Sequence, residues 1–150
     1  MKEIIIVDIE TSGFQHQGGL IVEVGIVSLD LQYEDVVRAN NLLKAIPEIQ
    51  SIFDKHPCGA TAFNKRFDFG FLKSRGLRIK ELPCIMLSAA PAVDLPPNPG
   101  YRDPKWPKVQ EAWDFFFPRS NYIEAHRALD DARHEALIAY ELYKLGKFSV

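Results

Sequence analysis

Near the start of the chain four apolar residues follow one another without alternation, Ile4-Ile5-Ile6-Val7. Such a run predicts a strand over 3–8 covered on both faces, because a strand with one wet face would alternate. Thr11-Ser12-Gly13 then signals a turn. The β-branched stretch over 20–30 predicts a second strand, and a weaker third falls at 34–40. Pro47 suits a first helical turn and predicts a short helix to about Lys55. A short strand is expected at 59–63. A helix follows over 66–75, with Phe67 and Phe71 one turn apart and Gly76 stopping it. Cys84–Leu87 reads as another strand. Six prolines between Pro91 and Pro107 make a long surface loop, and loops of that length in compact domains are usually functional or mobile. Helices are expected over 107–117 and over 127–145. In the last, Ala128, Ala132, Ala136, Ala139 and Tyr143 form a wide stripe. Strands first and helices later, with some alternation, predict a single α/β domain over 1–150, a mixed central β-sheet flanked by α-helices.

Composition narrows the class. The 150 residues are 47% hydrophobic and 25% charged, values of an ordinary globular protein whose core needs no disulfides. No apolar run approaches the roughly 18 residues of a membrane helix, and the first residues lack the pattern of a signal peptide. A cytoplasmic protein is therefore expected. Cys58 and Cys84 form no metal-ligand spacing and read as reduced, small apolar residues. The net charge of −2 argues against a polycationic clamp on long duplexes. It leaves room for an enzyme that grips one strand end through metals and a few cations.

Chemistry concentrates in three places. Asp8 and Glu10 close the first strand, and residues two apart on a strand project from the same face, roughly 6 to 7 Å apart. Two like charges beside a core are costly unless cations neutralise them, and hard divalent ions take oxygen ligands; a solvated strand end is the plain alternative. Asp68 lies among three phenylalanines in the first turn of its helix, where an acid often only complements the dipole. Asp131 follows His126 by five residues and shares a face with Ala128, Glu135, Ile138 and Leu142, so it needs a partner. Asp130, about 100° away, reads as solvated or a cap. His16, His56 and His134 read as surface residues, and Trp106 and Trp113 as core or interface.

In this order the segments Val7-Asp8-Ile9-Glu10-Thr11-Ser12-Gly13, Asn64-Lys65-Arg66-Phe67-Asp68 and His126-Arg127-Ala128-Leu129-Asp130-Asp131-Ala132 resemble the motifs of the DEDDh 3′→5′ exonucleases. The resemblance runs from about Lys2 to Leu145 and implies a ribonuclease-H-like fold. Lys105-Trp106-Pro107-Lys108-Val109-Gln110-Glu111-Ala112 looks like a stretch of small, phage-type members. The chain departs from the family in having Phe63 where a histidine often precedes the asparagine, and in a short segment before Asp68. The resemblance implies that Asp8, Glu10, Asp68 and Asp131 hold two divalent metal ions, Mg²⁺ or Mn²⁺. Asp8 would bridge both, Glu10 would also hold the terminal 3′-hydroxyl, and His126 would be the general base. Thr11, Ser12, Gly13 and Phe14 would meet the terminal nucleotide, the turn through backbone N–H groups and Phe14 by stacking, with core packing as its alternative. Asn64 would hold the substrate backbone or its own turn. Of Lys65, Arg66, Lys73, Arg75, Arg78 and Lys80, a few would touch phosphates and most would be a solvated face.

The expected substrate is a single-stranded nucleic-acid 3′ end, DNA or RNA. A non-catalytic binding subunit of the same fold and a phosphodiesterase of short oligonucleotides or small nucleotides are the competing readings. A polymerase and a second copy of the chain are the protein partners left open, and the proline-rich loop is a candidate interface or substrate lid.

Overall fold

A computed structural model describes residues 3–38 and 42–150. The strands are β1 (Ile4–Thr11), β2 (Ile21–Ser28), β3 (Glu34–Arg38) and β4 (Gly59–Thr61), and the helices are α1 (Leu42–Asp54), α2 (Lys65–Ser74), α3 (Ile85–Val93), α4 (Val109–Phe116) and α5 (Ala128–Lys144). The sheet runs in the order β3-β2-β1-β4. β1, β2 and β3 form an antiparallel meander, while β4 lies parallel to β1. This mixed sheet flanked by helices is compatible with a ribonuclease-H-like fold. The third strand was expected to reach residue 40; positions 39 and 40 lie outside the described residues.

The unalternating run of β1 is explained by two cores. Ile5, Val7 and Ile9 pack with Ile49, Phe69 and Leu72 on one face. Ile4 and Ile6 pack with Ile85, Trp113, Ile138 and Leu142 on the other. Helix α5 crosses that second face. Its Ala128, Ala132, Ala136 and Ala139 are fully buried, and their small side chains let the helix axis lie close to the sheet. Tyr143, counted with that stripe from the sequence, is instead exposed.

Two elements differ from expectation. Pro47 lies inside α1 and does not begin it. A proline there gives up the bond to the carbonyl four residues back and crowds that carbonyl, and the stripe of Ala45, Ile49, Ile52 and Phe53 holds the helix down in spite of it. The strand expected at 84–87 is the start of α3. Ile85, Met86, Ala89 and Ala90 are its buried face, a helical spacing that four residues cannot reveal. The proline-rich segment is partly anchored: Leu95 and Lys105 form an antiparallel bridge, and Glu111 takes both the Lys105 ammonium at 2.8 Å and the Lys108 N–H at 2.9 Å.

Candidate active site

The close approach of α5 to β1 depends on a glycine. Gly25 is the β2 partner of Asp8, and a Cβ placed there would collide with the Ala128 carbonyl. The first turn of α5 therefore sits directly over the strand pair that carries Asp8 and Glu10. Glu23 fixes that position: its Oε1 accepts the Ala128 N–H at 2.9 Å. The same carboxylate takes the Arg127 guanidinium at 3.0 Å and Arg38 at 3.3 Å. The Arg127 hydrogen bond and the backbone bond hold Glu23 down at about 2, against its burial. The capping acid is thus charged at any ordinary pH.

Four of the five expected catalytic positions converge here. Asp8, Glu10 and Asp131 each present an oxygen within 4.8 Å of the others. A second group, Glu124, His126 and Asp131, meets the same limit, so Asp131 joins the two. Asp68 arrives from the first turn of α2, and its Oδ1 accepts the Ile9 N–H at 3.0 Å, between the two acids of β1. It is 4% exposed. His126 stands at the rim, its side chain 74% exposed, with Nδ1 3.7 Å from Glu124 Oε1. Its backbone is left-handed, at φ 55°, a region costly for a side chain with a Cβ and enriched at functional sites.

The electrostatics are those of crowded acids. Burial, then the charge of Glu135, holds Asp8 well above the usual carboxylate range. Burial raises Glu10 to about 7, with further help from Asp131. Burial raises Asp68 to about 7 as well, against the Ile9 hydrogen bond. Asp131 is also raised by burial, while the Tyr122 hydroxyl, donating to its Oδ1 at 3.2 Å, pulls the other way. Among the described residues no lysine or arginine forms an ion pair with any of these acids.

Glu124, Tyr122 and Glu135 are site groups that the sequence did not flag, and Glu135 is the most deeply buried of them. It lies one turn after Asp131 and is 2% exposed. It is within hydrogen-bonding reach of Asp8, and burial, then Asp68 and Asp131, holds it well above its ordinary range. Asp8 Oδ2 and Glu135 Oε2 are both buried without a hydrogen-bond partner. Two carboxylates in reach of each other have no donor between them unless one holds a proton or a cation stands beside them. An all-oxygen donor set with unpartnered buried oxygens fits hard divalent ions. A signal existed, since Glu135 lies on the same apolar face of α5 as Asp131.

Other positions fall differently. Thr11 Oγ1 donates to the Gly13 carbonyl, and the Ser12 N–H, expected to face a nucleotide, is spent on the Leu20 carbonyl at 2.9 Å. Ser12 Oγ accepts the Leu20 N–H in return, so Ser12 closes its own loop. Phe14 is exposed and not core, stacked on His16 at 5.6 Å. Asn64 is exposed at the start of α2, where it makes no side-chain cap. Lys65 and Lys73 pair with Glu81, and Arg75 donates to the Gly19 carbonyl. His134 is not a surface residue: it stacks on Tyr122 at 3.5 Å and meets Trp113 edge-on, a prop beneath the Asp131 partner. His56 is half-buried against Tyr33. Cys84 is buried but Cys58 is exposed, so only the first behaves as a small apolar residue; both are free thiols. Trp113 is core, whereas Trp106 is not.

No known family model matches the chain, and no curated protein does. Among solved structures the chain is similar to NrnC of Brucella melitensis, at 16% identity and a TM-score of 0.45, over 97% of this chain and 76% of that one. Among the described residues no helix is long and apolar enough to cross a membrane.

Proposed function

We propose that this chain is a metal-dependent 3′→5′ exonuclease that hydrolyses the last phosphodiester bond of a nucleic-acid strand and releases nucleoside 5′-monophosphates. The observation that carries this reading is the convergence of Asp8, Glu10 and Asp131 within 4.8 Å, with buried Asp68 beside them and, among the described residues, no lysine or arginine paired to any. The order and spacing of the motifs around them support it.

Asp8, Glu10, Asp68 and Asp131 would hold two divalent ions, Mg²⁺ or Mn²⁺. When bound, such ions ease ionisation of an attacking water and offset the charge that gathers on the phosphate and the leaving 3′ oxygen. The chain's own groups do the rest. Asp68, fixed by the Ile9 N–H, and Asp131, fixed by Tyr122, hold their carboxylates in place before substrate arrives. His126 takes the proton of the water at an imidazole nitrogen, and its exposure gives that proton a route to solvent. Glu124, 3.7 Å from Nδ1, steadies the protonated ring. A ring nitrogen of His126 lies within 4.8 Å of an Asp131 oxygen, close enough to serve a water at that carboxylate.

The test is incubation with 5′-labelled single-stranded DNA and RNA oligonucleotides in Mg²⁺, Mn²⁺ or EDTA, beside Asp8→Ala and His126→Ala. The expected result is a ladder shortening from the 3′ end, absent in EDTA and in Asp8→Ala and slowed by at least about a hundredfold in His126→Ala. The faster of the two ladders identifies the preferred sugar. Folded protein that gives no ladder with either metal would overturn the reading in favour of a binding module.

A further inference from the structure

Trp106 is 59% exposed, although the backbone on both sides of it is anchored. Lys105 N–H donates to the Leu95 carbonyl at 3.3 Å and Lys105 Nζ pairs with Glu111 at 2.8 Å. On the other side Pro107 is buried and the Lys108 N–H is taken by Glu111. A large apolar ring is therefore held out in solvent by a pinned segment, with little conformational freedom left to lose on binding.

Three adjoining cavities meet at this ring. One of about 860 Å³ also has Asn64, Tyr101 and Glu124 in its walls. One of about 330 Å³ has Phe14 and Arg66, and one of about 590 Å³ has Asn64 and Arg66. Trp106 and Asn64 line all three, which therefore adjoin as a cleft around this pair; of the groups near the carboxylate cluster, Glu124 lines it. Glu124 joins the cleft to that cluster, since it also groups with His126 and Asp131. Arg66 has no ion-pair partner among the described residues, and neither has Lys108. The cleft thus combines exposed aromatic faces and cations without an ion-pair partner, and Glu124 on its wall adjoins His126 and Asp131, a composition suited to single strands.

We propose that Trp106 is a base-stacking platform: a base of the single strand whose 3′ end enters the carboxylate cluster lies on the indole, and Arg66 and Lys108 take its phosphates. This rests on the exonuclease reading for what happens at the 3′ end, but the binding it describes is separable from cleavage. It also assigns the proline-rich segment the role of a fixed wall of the cleft.

The experiment has two arms. His126→Ala protein in Mg²⁺ is titrated with a single-stranded oligonucleotide, and then with a blunt duplex, while tryptophan fluorescence is followed. Trp113 is 5% exposed, so quenching reports on Trp106, and Trp106→Phe is the control that must abolish it. In the second arm the labelled-oligonucleotide assay is run on Trp106→Ala and Trp106→Phe. The expected result is single-strand quenching, a KM raised between about fivefold and about a hundredfold in Trp106→Ala, little change in kcat, and substantial rescue by Trp106→Phe. A ladder with unchanged KM in Trp106→Ala and no quenching would overturn the platform and leave the exonuclease standing. Quenching without a ladder in the wild-type protein would keep the platform and overturn the exonuclease. Equal quenching by the blunt duplex would overturn the single-strand assignment.

Discussion

Asp68→Asn separates the charge of the site from its geometry. Asp68 Oδ1 accepts the Ile9 N–H at 3.0 Å, and an asparagine carbonyl oxygen keeps that bond while removing the charge. Burial raises the Asp68 carboxyl from 3.8 to about 7 in the folded chain. At about 1.4 kcal/mol per tenfold change, that displacement corresponds to roughly 4 kcal/mol of disfavoured ionisation. The folded state binds more protons than the unfolded chain between about pH 4 and pH 7, so the stability held below pH 4 is lost as pH rises through that window. Glu10, raised to about 7 by burial, acts in the same direction. Glu23, held at about 2, has its linked change at lower pH and leaves this window untouched.

The assay is thermal unfolding of wild type and Asp68→Asn at pH 5 and pH 8, in EDTA and in Mg²⁺. In EDTA the wild-type Tm is expected to fall from pH 5 to pH 8. Asp68→Asn should recover up to about 4 kcal/mol at pH 8, or roughly 8–16 °C for a chain of this length, and much less at pH 5. Mg²⁺ should raise the wild-type Tm more at pH 8 than at pH 5, because only ionised carboxylates hold it, and should do less for the variant. A wild-type Tm that is flat in EDTA, with Asp68→Asn tracking it at both pH values, would refute the reasoning.

Three further outcomes follow from named contacts. Glu135→Gln supplies a neutral donor beside Asp8, so denaturant unfolding at pH 8 should show greater stability with the ladder retained; Glu135→Leu should instead lose about 1–3 kcal/mol. Gly25→Ala drives a methyl into the Ala128 carbonyl, which should cost about 1–3 kcal/mol and, by shifting Asp131, lower kcat by as much as about a hundredfold. Tyr122→Phe removes the donor to Asp131 and should raise the Mg²⁺ concentration for half-maximal activity about tenfold or more, as read from a metal titration of the ladder assay.

What the sequence made legible was local. The apolar run of β1, Asp8 and Glu10 on one face, and the apolar face of α5 that carries Asp131 all follow from periodicity within one element, and the structure shows each of them. The two misassigned elements are those where local pattern was weakest: a four-residue window at 84–87, and a helix whose proline invited the wrong starting point. The site itself was legible only as separate pieces. That Asp68 bonds to Ile9 across 59 residues, or that Tyr122 props Asp131 from outside any helix, depends on how α2 and the segment before α5 dock. Glu135 shows the limit most clearly. Its helical face was evident, but an acid on an apolar stripe gains its meaning only from what lies opposite, and that is Asp8 on another element. Trp106 shows the converse, since ring size suggests burial and only the fold shows that more than half of it stays exposed.

The arrangement of α5 explains why so many like charges are tolerated at one strand end. Its alanine face and its contacts with Ile6, Trp113 and neighbouring side chains bury apolar surface, and Glu23 with Arg127 fixes its first turn. Those contacts lie beside the acids and do not depend on their charge. They hold the helix against a repulsion that would otherwise be relieved by a small outward shift. The N-terminal end of the helix dipole favours Asp130 and Asp131 by about 0.3–1 kcal/mol each, too little to offset desolvation of several buried carboxylates. Protons or cations must supply the remainder. Below about pH 7 protons serve, and above it a cation present at about a hundred times its dissociation constant returns about 2.7 kcal/mol, comparable with the roughly 4 kcal/mol that Asp68 alone carries. The same unrelieved charge that is expected to make the free protein less stable at alkaline pH would therefore be what favours divalent ions at the proposed site there, where an ionised water is also most readily formed.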